Sequence, residues 1–156
     1  RQQRWTYWAG RPDALRTEMG AQTLGLLGFG HIAQAIAHRA KAFGMRVHVA
    51  NRSPIRHAHV DQSWTLDGLQ DFLASADAVV VSLPLTDTTR GLVDAQSLSA
   101  MRSNSCLINV GRGAVITYEE DQANWRQNGP RNTSSEVHLA ICVDRPESEI
   151  IAIAIT

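Results

Sequence analysis

This sequence has little cysteine, no excess charge of either sign and no long apolar run, and each absence removes a class of protein. Only Cys106 and Cys142 occur in 156 residues, both within apolar segments, which fits thiols in a reducing compartment better than a disulfide framework. Lys plus Arg and Asp plus Glu balance at 15 each, so no overall field draws the chain to nucleic acid or an acidic membrane surface. Any anion site must be local. No run approaches the ~20 apolar residues of a membrane span, and the opening RQQRWTYWAGRPDAL carries no apolar signal-peptide core. A cytoplasmic protein with no nucleic-acid or membrane partner is the expectation. The glycosylation-like triplets at Asn51 and Asn132 lack a secretory context and carry no weight.

What is present is an alternation of short apolar runs with helical patterns. With 44% hydrophobic residues the chain can build one domain with a real core. Residues 23–27 read as a strand. In 31–43 apolar residues recur at Ile32, Ile36, Ala40 and Phe43, with Ala33 and Ala37 beside them, which predicts a helix that Gly44 stops. Residues 45–50 alternate as a second strand, 65–74 (TLDGLQDFLA) read as a helix, and 78–81 as a third strand ended by Pro84. Residues 94–101 form a helix capped by Asp94, 105–110 a fourth strand, 119–127 a helix and 137–143 a fifth strand. Apolar strands separated by helices imply an α/β doubly wound parallel sheet covered on both faces. The division is a connecting segment over 1–20, one α/β domain over 21–150 and an apolar tail over 151–156. That tail, IIAIAIT with its flanks, is either a further strand or an interface. The crowding of Trp5, Tyr7 and Trp8 ahead of the first strand points to a covered surface.

Chemistry gathers at the strand ends. Gly28-Phe29-Gly30-His31-Ile32-Ala33 is a G-x-G-x-x-A turn between the first strand and the first helix. The first glycine permits a tight turn, the second lets backbone approach a pyrophosphate, and a small third residue lets the helix pack closely. The phosphates belong at the helix N-terminus. In this fold an acidic residue about 20 positions on takes the ribose of NAD; here the second strand ends instead on Asn51, followed by Arg52 and Ser53. An amide removes the charge that would repel a 2′-phosphate, Arg52 supplies a planar cation and Ser53 a hydroxyl, with Arg56 a second cation nearby. NADP(H) is therefore favoured, with NAD(H) the alternative if Asn51 holds a ribose and Arg52 is merely solvated. Arg112, bracketed by Gly111 and Gly113, can pair with a carboxylate and polarise a neighbouring carbonyl. His57 and His59 read as solvated loop residues, since no third ligand is evident for a metal.

GFGHIAQAIAHRAKAFGMRV, VSLPLTDTTRGLVDAQSLSAM and LINVGRGAVI together closely resemble the nucleotide-binding domain of the D-isomer-specific 2-hydroxyacid dehydrogenases, from about Trp8 to Ile116. The resemblance implies a Rossmann-type fold and reduction of 2-oxo acids such as glyoxylate or hydroxypyruvate by NAD(P)H, or the reverse oxidation. VANRSP is most similar to the NADPH-preferring glyoxylate and hydroxypyruvate reductases. By motif, His31 and Ile32 would lie against the pyrophosphate and Asn51, Arg52 and Ser53 at the adenosine ribose. Leu83, Pro84 and Thr89 would line the adenine side, Val110, Gly111 and Arg112 the nicotinamide side, with Arg112 the catalytic arginine that orients substrate. Family members usually dimerise through this domain, so a homodimer is expected.

The sequence also departs from the family. Where the family carries an aspartate and then a glutamate that assists a catalytic histidine, Ala140-Ile141-Cys142-Val143-Asp144-Arg145-Pro146 has Cys142 and Arg145, and no Pro-His pair occurs before Thr156. His138, within a strand pattern, reads as a packed or edge histidine. A proton donor beside the carbonyl is needed for turnover, so the expectation is a domain that binds cofactor and turns over little by itself. Two other readings stay open: a non-catalytic dinucleotide-binding regulatory or scaffold module, and a damaged or shifted reading frame after Tyr118.

Overall fold

The structure, a computed structural model, describes residues 18–102 and 105–117 and the backbone of two later strands. The helix expected over 119–127 and the aromatics Trp5, Tyr7 and Trp8 lie outside the described residues.

The elements follow in the order β1 (Thr23–Leu27), α1 (His31–Ala42), β2 (Arg46–Asn51), β3 (Gln62–Thr65), α2 (Leu69–Ser75), β4 (Ala78–Val81), α3 (Ala95–Ser99), β5 (Cys106–Asn109), β6 (His138–Asp144) and β7 (Glu149–Ile155). They build one seven-stranded sheet in the order β3-β2-β1-β4-β5-β6-β7. From β3 to β5 every pairing is parallel. Chain order reverses direction across the β1/β4 boundary, the topological switch point of a doubly wound fold.

Two apolar clusters cover the two faces. One gathers Leu26, Val47, Val49 and Val80 under Ala33, Ala37 and Ala40 of α1. The other gathers Leu27, Val79, Val81 and Leu107 under Leu69, Phe72 and Leu73 of α2. Strand residues thus alternate between faces while remaining apolar throughout, as parallel strands buried on both sides must. Gly25 belongs to this packing, because a Cβ there would stand 2.9 Å from the Phe72 ring and 3.0 Å from Ala76. Asp94 caps α3 by accepting from the Ser97 N–H at 2.7 Å, and that bond holds its carboxyl below the ordinary value.

Four expectations are corrected in detail. The buried stripe of α1 is Ala33, Ala37 and Ala40, while Ile32 is 57% and Phe43 62% exposed; alanines let the helix axis approach the sheet, which turns the bulkier residues outward. α2 starts at Leu69, because Leu66–Gly68 form a tighter 3₁₀ turn beneath Trp64. A short strand, β3, is added at one edge, anchored by Trp64 against Phe72 (ring centroids 6.0 Å apart) and His48 (5.1 Å). Finally, the fifth apolar run does not extend the parallel set: β6 runs antiparallel to β5, and β7 antiparallel to β6. Only four residues separate β6 from β7, fewer than the crossover of a parallel pair needs, in keeping with their antiparallel register. The apolar tail is thus largely strand β7, at the edge of the sheet.

Candidate functional site

The crevice lies at the carboxyl ends of β1, β2, β4 and β5, where open α/β sheets bind ligands. Gly28 follows β1 with φ +92°, and its N–H donates to Ala50 O at 2.8 Å. A Cβ there would also meet Leu83 Cδ2 at 3.0 Å, so both backbone and packing require glycine. Gly30 is the N-cap of α1 in an extended conformation that any residue adopts (φ −82°, ψ −169°). Among the described residues a Cβ on Gly30 would meet no atom within 4 Å. Nothing among the described residues requires glycine there, and the space above the backbone is open. The first turn of α1 has neither a side-chain cap nor an acidic residue, which leaves its N–H groups and positive dipole end to an anion. Ala33, fully buried, supplies the close helix-to-sheet contact.

Leu83 joins the turns. It is buried between Gly28 and Gly111, and a Cβ on Gly111 would stand 2.7 Å from Leu83 O. Ser82 N–H donates to Leu27 O at 2.9 Å and Val110 N–H to Val81 O at 3.0 Å, so the three strand ends form one continuous floor. Pro84 is exposed at its rim. Thr89 is only 4% exposed, and its hydroxyl donates to Pro84 O at 2.7 Å while accepting from Thr86 N–H at 2.8 Å. That side chain shapes the 84–89 loop from beneath, and the surface it offers the crevice is the loop it holds.

Asn109 organises the turn that carries Arg112. It is 1% exposed; its carboxamide oxygen accepts from Gly111 N–H at 2.9 Å and its nitrogen donates to Arg112 O at 3.2 Å. Both ends of the amide are engaged on the two residues that present the guanidinium, and Arg112 itself is exposed. Asn109 was not among the residues singled out in the sequence, although a polar residue closing an otherwise apolar strand marks it. Gly91, at φ +63°, ties the turn to the preceding loop through its N–H to Ala114 O at 2.9 Å, with Val93 and Thr117 bonded across the same pair of segments.

Asn51 ends β2, with a long 3.5 Å bond from its amide to Ser53 O. Arg52, Ser53 and Arg56 are exposed. Among the described residues neither arginine makes a hydrogen bond or ion pair. The loop after β2 meets the glycine turn where His57 packs edge-on against Phe29, with ring centroids 5.2 Å apart. His31 and Ile32 stand exposed on the first turn of α1 beside it. His59 lies 5.3 Å from His57 and 5.0 Å from His38 of α1, a third histidine that sequence spacing did not bring to this pair. Among the described residues no group of three His, Cys, Asp or Glu side chains is arranged to hold a metal, and no helix is long and apolar enough to cross a membrane.

Residues 1–123 match the family described as D-isomer specific 2-hydroxyacid dehydrogenase, NAD binding domain. The chain is 38% identical over 102 residues to a glyoxylate reductase of Aeropyrum pernix, covering 65% of this chain and 30% of that one. It is 35% identical over 113 residues to a glyoxylate/hydroxypyruvate reductase B of Pectobacterium carotovorum, covering 70% and 35%. Among solved structures, a D-isomer specific 2-hydroxyacid dehydrogenase from Xanthobacter autotrophicus, in complex with NADPH and MES, matches with a TM-score of 0.63 and 33% identity over 71% of this chain and 46% of that one. The chain spans about a third of the length of these curated relatives.

Proposed function

The chain belongs to the D-isomer-specific 2-hydroxyacid dehydrogenases, whose NAD-binding domain it carries, and from that premise we propose that its crevice takes NADP(H) in preference to NAD(H) for the reduction of a small 2-oxo acid. Glyoxylate and hydroxypyruvate are the substrates in view, with the reverse oxidation of the 2-hydroxy acid. The observation that carries the cofactor preference is the end of β2: Asn51 where a carboxylate would repel a 2′-phosphate, then exposed Arg52 and Ser53 with Arg56 near. Arg52 has no partner to give up among the described residues, so a phosphate gains a charge-assisted bond without breaking another. The NADPH bound to the Xanthobacter relative agrees with this reading.

The cradle fits a dinucleotide at the position where a Cβ on Gly30 would intrude into open space above an uncapped helix end. In this reading Gly28, Gly30, His31 and Ile32 hold the pyrophosphate, Leu83, Pro84 and the loop held by Thr89 flank the adenine, and Val110 and Gly111 border the nicotinamide. When bound, the nicotinamide would supply a hydride to the substrate carbonyl carbon; the proton that completes the reduction has to come from an acid that none of the residues assigned to the crevice supplies, so the domain is read as binding cofactor and turning over little by itself. Arg112, presented by the Asn109 amide, clamps the substrate carboxylate and draws electron density from the adjacent carbonyl oxygen, which lowers the barrier as negative charge develops there. The domain is taken to cover 21–150, in a cytoplasmic homodimer. The apolar edge strand β7 and the aromatics of the opening residues support the dimer.

Calorimetric titration of the chain with NADPH and NADH tests the preference. NADPH binds more tightly, and Arg52→Ala weakens NADPH by about tenfold or more while leaving NADH nearly unchanged. Equal or tighter NADH binding overturns the phosphate reading and leaves the fold untouched.

A further inference from the structure

The two cysteines of the sequence are brought together by a pairing that the sequence does not announce. Cys106 opens β5 and Cys142 lies in β6, and the antiparallel register sets them directly opposite, in the same run as Leu107 with Ile141, Ile108 with Ala140 and Asn109 with Leu139. Directly opposed residues of an antiparallel ladder share one face of the sheet, with Cα atoms about 4.5–5.5 Å apart. A disulfide takes Cα separations of about 4.4–6.8 Å, so the backbone needs no rearrangement to accept one. Cys106 is held by its N–H bond to Asp77 O at 3.1 Å, and it is only partly buried, so a small reagent can reach it.

We propose that Cys106 and Cys142 form a reversible cross-strand disulfide that staples the β6–β7 hairpin to the parallel sheet. The bond closes a loop over residues 106–142, which includes the Arg112 turn, while lying at the opposite end of β5 from Asn109 and the crevice. Its co-reactant is a low-molecular-weight disulfide. A thiolate of the pair attacks that disulfide, releasing one small thiol and leaving a mixed disulfide; the second cysteine, as thiolate, attacks the protein sulfur of that adduct and expels the other small thiol. Two protein thiols become one disulfide, one small disulfide becomes two thiols, and electrons and protons balance. In a reducing compartment the pair stays as thiols, in keeping with the composition, and closes as the thiol pool becomes oxidised.

The test is incubation of the folded chain with excess oxidised glutathione, alkylation of the remaining thiols, digestion without reductant and mass spectrometry. The expected product is a Cys106–Cys142 linked peptide, with the intact chain lighter by two hydrogen atoms, no alkylation at either cysteine, and full reversal by dithiothreitol. The Cys142→Ser chain, shown to be folded by its circular dichroism, then stops at a single glutathione adduct on Cys106. Either of two results overturns the proposal: both cysteines still alkylated after treatment, or two separate glutathione adducts on one chain, since cysteines held opposite each other close the ring before a second adduct forms.

Discussion

The two ends of the same parallel sheet are built on opposite principles. At the amino ends polar groups are consumed by the protein. Asp77 accepts from Thr23 N–H at 2.8 Å and pairs with Arg102 at 2.9 Å, while its own N–H and C=O bond to Thr23 and Cys106. Asp61 receives Lys41 at 2.7 Å and Val47 N–H at 2.7 Å, which locks the end of α1 to the start of β2. At the carboxyl ends the N-terminus of α1 is uncapped, and Arg52 and Arg56 are unpartnered among the described residues. A fold that satisfies its polar groups at one rim and leaves them available at the other separates stability from binding. Substitutions should therefore sort by rim, with informative exceptions where a crevice residue also holds the floor together.

The largest effect is expected from such an exception. Gly111→Ala places a Cβ 2.7 Å from Leu83 O, a backbone atom that cannot swing away. The cost is about 3 kcal/mol, a fall of roughly 6–12 °C in melting temperature for a chain of this size. Thermal unfolding at an unchanged midpoint would mean that the segment following β4 is looser than its geometry implies. Asp77→Ala comes next: it strips the acceptor from the N–H of Thr23, a residue 2% exposed, and costs about 2 kcal/mol. NADPH affinity should stay within twofold of the parent chain, and a large loss of affinity would break the separation of the two rims. Gly30→Ala is the mirror image. With no internal contact and an ordinary backbone conformation, stability changes by no more than about 1 kcal/mol, while cofactor binding weakens about tenfold or more, which is about 1.4 kcal/mol of binding free energy. Unchanged binding would show that the cofactor does not lie against that backbone.

The glycine turn after β1 is legible because strand and helix periods surround it in the right order. Gly28 and Gly30 nonetheless differ, one enforced by a positive φ and Leu83, the other by no contact among the described residues. β1, α1 and β4 were equally readable, since long apolar or helical periods leave little choice. β3 was not, because QSWT has one large apolar residue and its strand character comes from pairing with β2. The buried face of α1 is hard to read because Ile32 and Phe43 outweigh three alanines in hydrophobicity, while the value of the alanines lies in close approach. Strand direction has no signature within a strand, so the reversal at β6 and the meeting of Cys106 with Cys142 were out of reach. Asn109 and Thr89 illustrate a further limit: a polar side chain in a motif can serve the loop that carries the site rather than the ligand, and only its hydrogen-bond partners distinguish the two.

The smallest effect is a titration confined to the stabilising side of the comparison. His48 Nδ1 stands 2.8 Å from Ser75 Oγ, and the Ser75 hydroxyl donates to Phe72 O at 2.7 Å. With that hydrogen committed, the imidazole donates from Nδ1, and an added proton must go to Nε2 on a ring packed against Trp64. Burial first, and the Arg46 charge second, hold its pKa below the usual 6.5, against opposing contributions from Asp61 and Asp77. A histidine whose folded value is depressed binds fewer protons folded than unfolded, so its contribution is complete above 6.5 and stability falls as the pH drops below that value. For Asp61 burial would raise the pKa, but the hydrogen bonds from Lys41 and Val47 outweigh it and the value is lowered from 3.8; its stabilisation is complete above 3.8 and is lost as the pH falls through the folded value. Melting temperature against pH should therefore decline in two acid steps, the upper flattened in His48→Gln and the lower in Asp61→Asn. Neither substitution should alter NADPH affinity at neutral pH, because both groups belong to the satisfied half of the molecule. An upper step that survives His48→Gln unchanged would remove His48 as its source, and a loss of NADPH affinity in either variant would break the separation of the two rims.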